Sequence, residues 1–198
     1  MKLFLNAASP YARLVRVVLV ETDLQNDTEL AYVDPWGSPV ELLERNPAAK
    51  VPALELDDGG RIVESACICD YLIEKSARFD LAPARAADAG ARLQVLGLGR
   101  AAIDCAFGVV LLGRFCESNA LATRWSEALP RIAAALQASL ASMDDGRAVD
   151  LADLTLAVAF EYLDFRLPEV RWREANPGLA RRVAELGDRR SLSSTRPR

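Results

Sequence analysis

Up to about residue 80 the apolar residues of this chain arrive in short runs that switch between the two-residue period of a strand and the 3.6-residue period of a helix; beyond that point only the helical period remains. A chain patterned in this way does not build one uniform layer. It divides into an α/β unit followed by an all-helical one, and 198 residues are enough for two small cores.

The first part reads strand, helix, strand, helix, hairpin, helix. Lys2–Leu5 is a short strand. Ser9-Pro10 then sets a hydroxyl cap before a proline at the first helical position, and Tyr11, Leu14, Val15, Val18 and Leu19 recur as one apolar stripe with Arg13 and Arg16 off it. Residues 29–33 make a second strand, ended by Asp34-Pro35. Ser38-Pro39-Val40-Glu41 combines a cap, a first-turn proline and a glutamate at the third helical position, and predicts a helix that Asn46-Pro47 stops. Residues 52–56 and 61–63 alternate around Asp57-Asp58-Gly59-Gly60, a hairpin, after which Ser65 can cap a helix carrying Ile68, Cys69, Leu72 and Ile73. The pattern breaks at Asp80-Leu81-Ala82-Pro83, which sets the expected domains at 1–80 and 81–198.

Helical stretches follow at 86–115, 121–143, 150–166 and 177–187. Residues 151–160 are apolar on nearly every side, which marks a helix in the middle of a bundle, with Asp150 and Asp153 bracketing its first turn.

Composition narrows the chemistry. The sequence contains no histidine, which removes the imidazole base, the histidine triads and most zinc sites. Cys67, Cys69, Cys105 and Cys116 form no C-x-x-C, and Cys67 and Cys69 point to opposite sides of a helix, so the four read as reduced core thiols with no metal role. A net charge of -4 weighs against nucleic acid as a partner. The first residues hold no apolar core of signal-peptide length, and charges interrupt every apolar run short of bilayer length. The expectation is therefore a cytoplasmic protein with no membrane partner.

Three local motifs carry a resemblance. Ser9-Pro10-Tyr11-Ala12-Arg13-Leu14-Val15-Arg16, Asn46-Pro47-Ala48-Ala49-Lys50-Val51-Pro52 and Glu64-Ser65 lie in the order and spacing of the motifs of glutathione transferases, and the likeness extends over the whole chain. The first is similar to the helix start of bacterial and zeta-like members, whose serine meets the glutathione sulfur. The second is similar to the loop N-P-x-G-K-V-P-x-L, with Ala49 in the place of glycine. In the second domain Asp150-Leu151-Ala152-Asp153 resembles a capping box with Asp150 replacing the usual hydroxyl residue, and 190–197 resembles the family's C-terminal ending.

The resemblance implies a thioredoxin-like α/β N-terminal domain joined to an all-α helical bundle, and a homodimer. It implies glutathione as co-substrate and transfer of its thiolate to a small electrophile. It places Ser9 at the thiol and the backbone of Val51, before a cis Pro52, along the cysteinyl unit. Glu64 and Ser65 would hold the γ-glutamyl group, and Asp150 and Asp153 would cap the central helix.

Each residue also has a plainer reading. Ser9 alone is a helix cap, Lys50 is either a solvated lysine or a contact to a glutathione carboxylate, and Trp36, Trp125 and Trp172 read as packing residues. Asn6, Ala7 and Ala8, with residues near Asp104 and Phe107, should form the mouth of the site. The neighbouring activities are glutathione-dependent isomerisation and disulfide reduction; a non-enzymatic interaction module of the same fold is the rival from another class.

Overall fold

A computed structural model describes residues 1–116, 119–143 and 147–197. Four strands, β1 (Lys2–Leu5), β2 (Glu29–Tyr32), β3 (Ala53–Glu55) and β4 (Arg61–Val63), form one sheet in the order β2-β1-β3-β4. β1 is parallel to β2 and antiparallel to β3, and β3 pairs antiparallel with β4. The two-residue period sorts β1 between two layers. Leu3 and Leu5 join the core under α1 (Pro10–Glu21) and α3 (Ser65–Ser76), whereas Phe4 points the other way and packs with Val33, Leu42 and Ala53 beneath α2 (Val40–Leu43).

Among the described residues no strand follows β4. The second part consists of α4 (Ala89–Phe115), α5 (Ala120–Ala141), α6 (Leu151–Arg166), α7 (Trp172–Ala175), α8 (Pro177–Gly187) and α9 (Arg190–Ser193). This is the expected class, a thioredoxin-like mixed sheet with its helices joined to an all-α bundle. α6 is its axis. Leu151 to Phe160 are all buried, with Tyr162 and Leu163 following, as a helix apolar all round requires. α5 closes on α4 where Gly108 leaves space: a Cβ there would lie 2.2 Å from the Trp125 ring. Trp125 is thus a packing residue, and so is Trp172, buried 4.6 Å from the Phe160 ring with its indole N–H donating to Asp164.

Several local expectations are corrected. Ser38 caps nothing: its φ of 44° closes a 3-10 turn, the cap position of α2 is Pro39 without a side-chain bond, and α2 is a single turn. Ser65 is the first residue of α3, and Glu64 holds the cap position without a side-chain hydrogen bond. Only Cys69 is a fully buried thiol; Cys67 and Cys116 are exposed and Cys105 is half-buried, all four being free. α4 is long and apolar enough to cross a bilayer by length and a mean hydropathy of 1.9, contrary to the reading of interrupted runs. Its Val95, Leu96, Ala102, Ile103 and Ala106 are instead buried in the bundle core.

Arg13 lies off the apolar stripe of α1, yet it is 3% exposed. α1 has apolar partners on two sides, the sheet and α3 on one and α6 and α9 on the other, so a residue opposite the stripe is covered as well. Arg13 pairs with Glu161 of α6 and donates to the Leu192 carbonyl at 3.3 Å. Burial pulls its guanidinium below the ordinary value, opposed by Glu161. Glu21, at the end of α1, accepts from Arg189 at 2.9 and 2.7 Å and from Ser191. Those bonds outweigh the cost of burial and hold its carboxyl below the ordinary range.

A second buried cluster fixes the start of α6. Asp150 accepts from the N–H groups of Ala152 and Asp153, and Asp153 accepts from the Asp150 N–H, a reciprocal capping box. Arg92 of α4, 1% exposed, donates to Asp150 at 2.8 Å and to Asp153 at 2.6 Å, and Asp153 also meets Arg147 and Arg182. Burial opposes the charge on Arg92, but the two carboxylates more than offset it and raise the guanidinium above its ordinary value.

Arg92→Ala leaves the buried Asp150 carboxylate without the guanidinium that holds it, while Asp153 keeps Arg147 and Arg182, and removing one partner of such a buried set costs about 3–5 kcal/mol. A urea midpoint shifted by less than about 1 kcal/mol in stability would show that water takes over its role. Ala49 sits at a φ of 51°, where an L-residue loses roughly 1–2 kcal/mol and a glycine gives up only about 0.5–1 in unfolded-state entropy. Ala49→Gly is accordingly expected to raise stability by up to about 1 kcal/mol, measured by the same unfolding experiment.

Candidate functional site

Between the two parts lies a cleft of about 910 Å³. Its first wall is made by three chain segments that end or begin elements of the α/β unit. At the start of α1, Ser9 has an extended backbone and its Oγ accepts from the Ala12 N–H at 3.2 Å, with Pro10 at the first helical position. The plain cap reading of Ser9 is therefore correct as far as it goes. The Ser9 hydroxyl donates to no protein acceptor among the described residues, so its hydrogen is available to the cleft, which Asn6 and Ala8 also line. Ala7 does not line it.

The second segment precedes β3. Asn46 braces the loop internally: its side-chain amide donates to the Lys50 carbonyl at 2.8 Å, its Oδ1 accepts from the Ala48 N–H at 3.1 Å, and its carbonyl accepts from the Ala49 N–H at 2.9 Å. Ala49 takes the left-handed conformation that glycine favours, and the Val51–Pro52 peptide is cis. Among the described residues neither the N–H nor the carbonyl of Val51 has a protein partner, and Lys50, Val51 and Pro52 all face the cleft.

The third segment turns from β4 into α3. Glu64 has a φ of 68°, a conformation costly for a non-glycine residue, and no side chain caps the twelve-residue helix that begins at Ser65. The first N–H groups of α3 are thus left for a ligand, at the positive end of the helix dipole, with Glu64 and the Ser65 hydroxyl beside them.

The opposite wall comes from the bundle. Asp104, Phe107, Val110, Leu111 and Arg114 of α4 follow one another at helical spacing, and Tyr162 and Arg166 stand one turn apart on α6. Tyr11 joins the two walls. Its hydroxyl donates to Asp104 at 2.7 Å and its ring meets Phe107 edge-on at 5.5 Å. Burial, assisted by Asp104, drives the Tyr11 hydroxyl far above its ordinary value, so it remains neutral. Trp36, about half exposed, lines the cleft with the Phe115 ring at 5.2 Å and the Arg114 guanidinium at 5.2 Å.

The structure brings Ser9, Lys50, Val51, Pro52, Glu64 and Ser65 to one cleft and leaves Asp150 and Asp153 far from it, inside the bundle. Sequence reasoning missed Tyr11, Trp36, Arg114 and Arg166. In the sequence Tyr11 belongs to an apolar stripe and Trp36 reads as packing; a large aromatic among turn formers, in Asp34-Pro35-Trp36-Gly37, is the signal that points to a surface role. No group of three or more His, Cys, Asp or Glu residues that could hold a metal occurs among the described residues.

Residues 3–79 match the N-terminal domain of glutathione S-transferases, and residues 119–181 match their C-terminal domain. A glutathione transferase family member from Pseudomonas fluorescens Pf-5, solved with bound glutathione, is 33% identical with a TM-score of 0.86, covering 100% of this chain and 98% of that one. A glutathione S-transferase from Methylobacterium radiotolerans JCM 2831, in complex with glutathione sulfonate, is 29% identical with a TM-score of 0.87 and covers 99% and 94%. Glutathione S-transferase 2 of Saccharomyces cerevisiae (strain ATCC 204508 / S288c) is 34% identical over 68 residues, which are 33% of this chain and 29% of that protein. With both domains matched and a one-third identical structure superposing end to end, the chain belongs to the glutathione S-transferase family.

Proposed function

We propose that this protein is a cytoplasmic, homodimeric glutathione transferase that joins the glutathione thiolate to a small electrophile. One observation carries the reading: three separate turns deliver unsatisfied polar groups to a single cleft. These are the Ser9 hydroxyl hydrogen, both backbone groups of Val51, and the uncapped N–H groups of α3 beside Glu64 and Ser65. They fit a tripeptide-like zwitterion with a thiol in its middle. The cysteinyl unit pairs along Val51 as an added strand, the γ-glutamyl carboxylate takes the α3 N-terminus and the Ser65 hydroxyl, and its ammonium meets Glu64. Lys50 stands in the same cleft as a charge for a second carboxylate. The relatives solved with glutathione and glutathione sulfonate support the same ligand here.

The thiol must lose its proton to water before the sulfur lone pair can form the new C–S bond and the leaving group or the polarised double bond can accept the electron pair. No imidazole is present to take that proton. Ser9 does not act as a base; it donates its hydroxyl hydrogen to the thiolate and so lowers the thiol pKa from its free value of about 8.5. The start of α1 adds its partial positive charge.

Retention on immobilised glutathione with elution by free glutathione tests the binding half, and a panel of conjugation, isomerisation and disulfide-reduction assays tests the chemistry. Ser65→Ala removes a hydrogen bond to a charged group, about 1.5–3 kcal/mol, and is expected to weaken glutathione about ten- to a hundredfold in calorimetry with helix content unchanged. Unchanged affinity would mean that the γ-glutamyl group binds elsewhere. Ser9→Ala is expected to raise the pKa of the bound thiol by about one unit. The rising limb of the rate–pH profile then moves upward, turnover at pH 7 drops about tenfold and recovers near pH 9, and glutathione affinity stays within about threefold. An unmoved pH profile would leave Ser9 as a cap alone.

A further inference from the structure

The acceptor half of the cleft has a charge pattern that the conjugation reading does not use. α4 and α6 run in the same direction: Arg92 near the start of α4 reaches Asp150 and Asp153 at the start of α6, and both helices carry cleft residues in their last turns. Each helix carries an arginine in its last turn there, Arg114 on α4 and Arg166 on α6. Neither makes a salt bridge to a carboxylate among the described residues, although ten other arginines do. The acidic residue on this wall, Asp104, is occupied by the Tyr11 hydroxyl. Around the arginines the wall is apolar or aromatic: Phe107, Val110 and Leu111 along α4, and Trp36 across from Arg114.

An arginine in the last turn of a helix offsets the partial negative charge there, and that alone would explain either one. It does not explain why both face the same cleft, held beside aromatic groups. Arg114 lies over the Trp36 ring, and Arg166 lies 4.4 Å from the Phe165 ring, one turn beyond the buried Tyr162. Such contacts restrict the guanidinium while leaving donors open, the condition under which a planar fork recognises a carboxylate.

We propose that the acceptor subsite takes an anionic electrophile, one with a carboxylate at the end of an apolar or aromatic body, the anion held between Arg114 and Arg166 and the body against Phe107, Val110 and Trp36. This rests on the reading of the cleft as a glutathione transferase site and specifies its second substrate. The arrangement separates the two negative charges of the reactants, because the tripeptide carboxylates are held on the α/β wall and the acceptor's carboxylate on the helical one. Asp104 and the end dipoles of α4 and α6 act against the anion, and two guanidinium charges outweigh them.

The test uses unreactive matched probes, 4-phenylbutyrate and the neutral 4-phenylbutanamide, titrated calorimetrically into the full chain, with glutathione titrated separately. The acid is expected to bind at least tenfold more tightly than the amide and to lose that advantage at high salt. Arg114→Gln and Arg166→Gln should each weaken the acid about five- to tenfold while moving the amide and glutathione by less than about twofold. Equal affinities for acid and amide, or no binding of either, overturn the proposal, as do variants that weaken both probes alike. If Arg114→Gln weakens glutathione and spares the acid, Arg114 serves the tripeptide and the proposal fails for it. Absence of any glutathione binding by the unaltered protein would instead defeat the transferase reading, whatever the two probes do.

Discussion

The cleft exists because α1 is shared. One side of this helix covers the sheet and α3, the other lies against α6 and α9, and the buried Arg13–Glu161 pair fixes its rotation between them. A pair of this kind contributes little net stability. Two of the Arg13 nitrogens are buried with no partner among the described residues, and desolvation consumes much of the attraction. Its consequence is orientational. With α1 fixed at Arg13 and again at Glu21, which binds Arg189 and Ser191, its first turn has one place to go. That turn carries Ser9 and Tyr11, and the Tyr11–Asp104 bond closes the cleft floor across the two domains.

The polar wall of the cleft is assembled at some cost to the backbone. Ala49 and Glu64, both non-glycine, hold positive φ values, and they flank the two segments that present Val51 and the α3 N-terminus. Strain placed on both sides of a row of unsatisfied backbone groups is what a binding site built from main chain requires, since only an unusual path aims those groups away from the sheet. The brace from Asn46 to Lys50 supplies the counterweight locally, so the loop does not depend on a ligand to keep its shape.

This division explains what the sequence disclosed. The wall made of backbone is written in short motifs, Ser9-Pro10, 46–52 and Glu64-Ser65, because caps, prolines and turn residues act on their immediate neighbours; these were readable, as were β1, the hairpin and the buried axis of α6. Boundaries are not legible where a motif is ambiguous about one position, as with Ser38 and Ser65, each of which has cap chemistry and stands beside the cap position. Residues whose environment is set by distant chain were not readable. Arg13 finds its partner 148 positions away and Arg92 finds Asp150 58 positions away, so a charged residue in a helix gave no local sign of burial. The same holds for Trp36 and Arg114, on a turn of one domain and a helix of the other, whose contact is a property of the docking.

On the proposed reading, a chain without histidine can still carry out thiolate chemistry, for the task differs from proton abstraction by a base. A free thiol near pH 7 is already a few per cent ionised, so a shift of one to two units, about 1.4–2.7 kcal/mol, makes the thiolate abundant. That amount lies within reach of one donated hydroxyl and the start of one helix, both of which Ser9 and α1 provide. In that reading the tripeptide brings the nucleophile, and the protein has to supply only position and a modest electrostatic bias. A fold meeting so light a demand on the thiol side leaves its other wall free to vary. In this chain that wall carries Arg114 and Arg166 beside Phe107 and Tyr162, the side chains to which the proposed reading assigns the choice of acceptor.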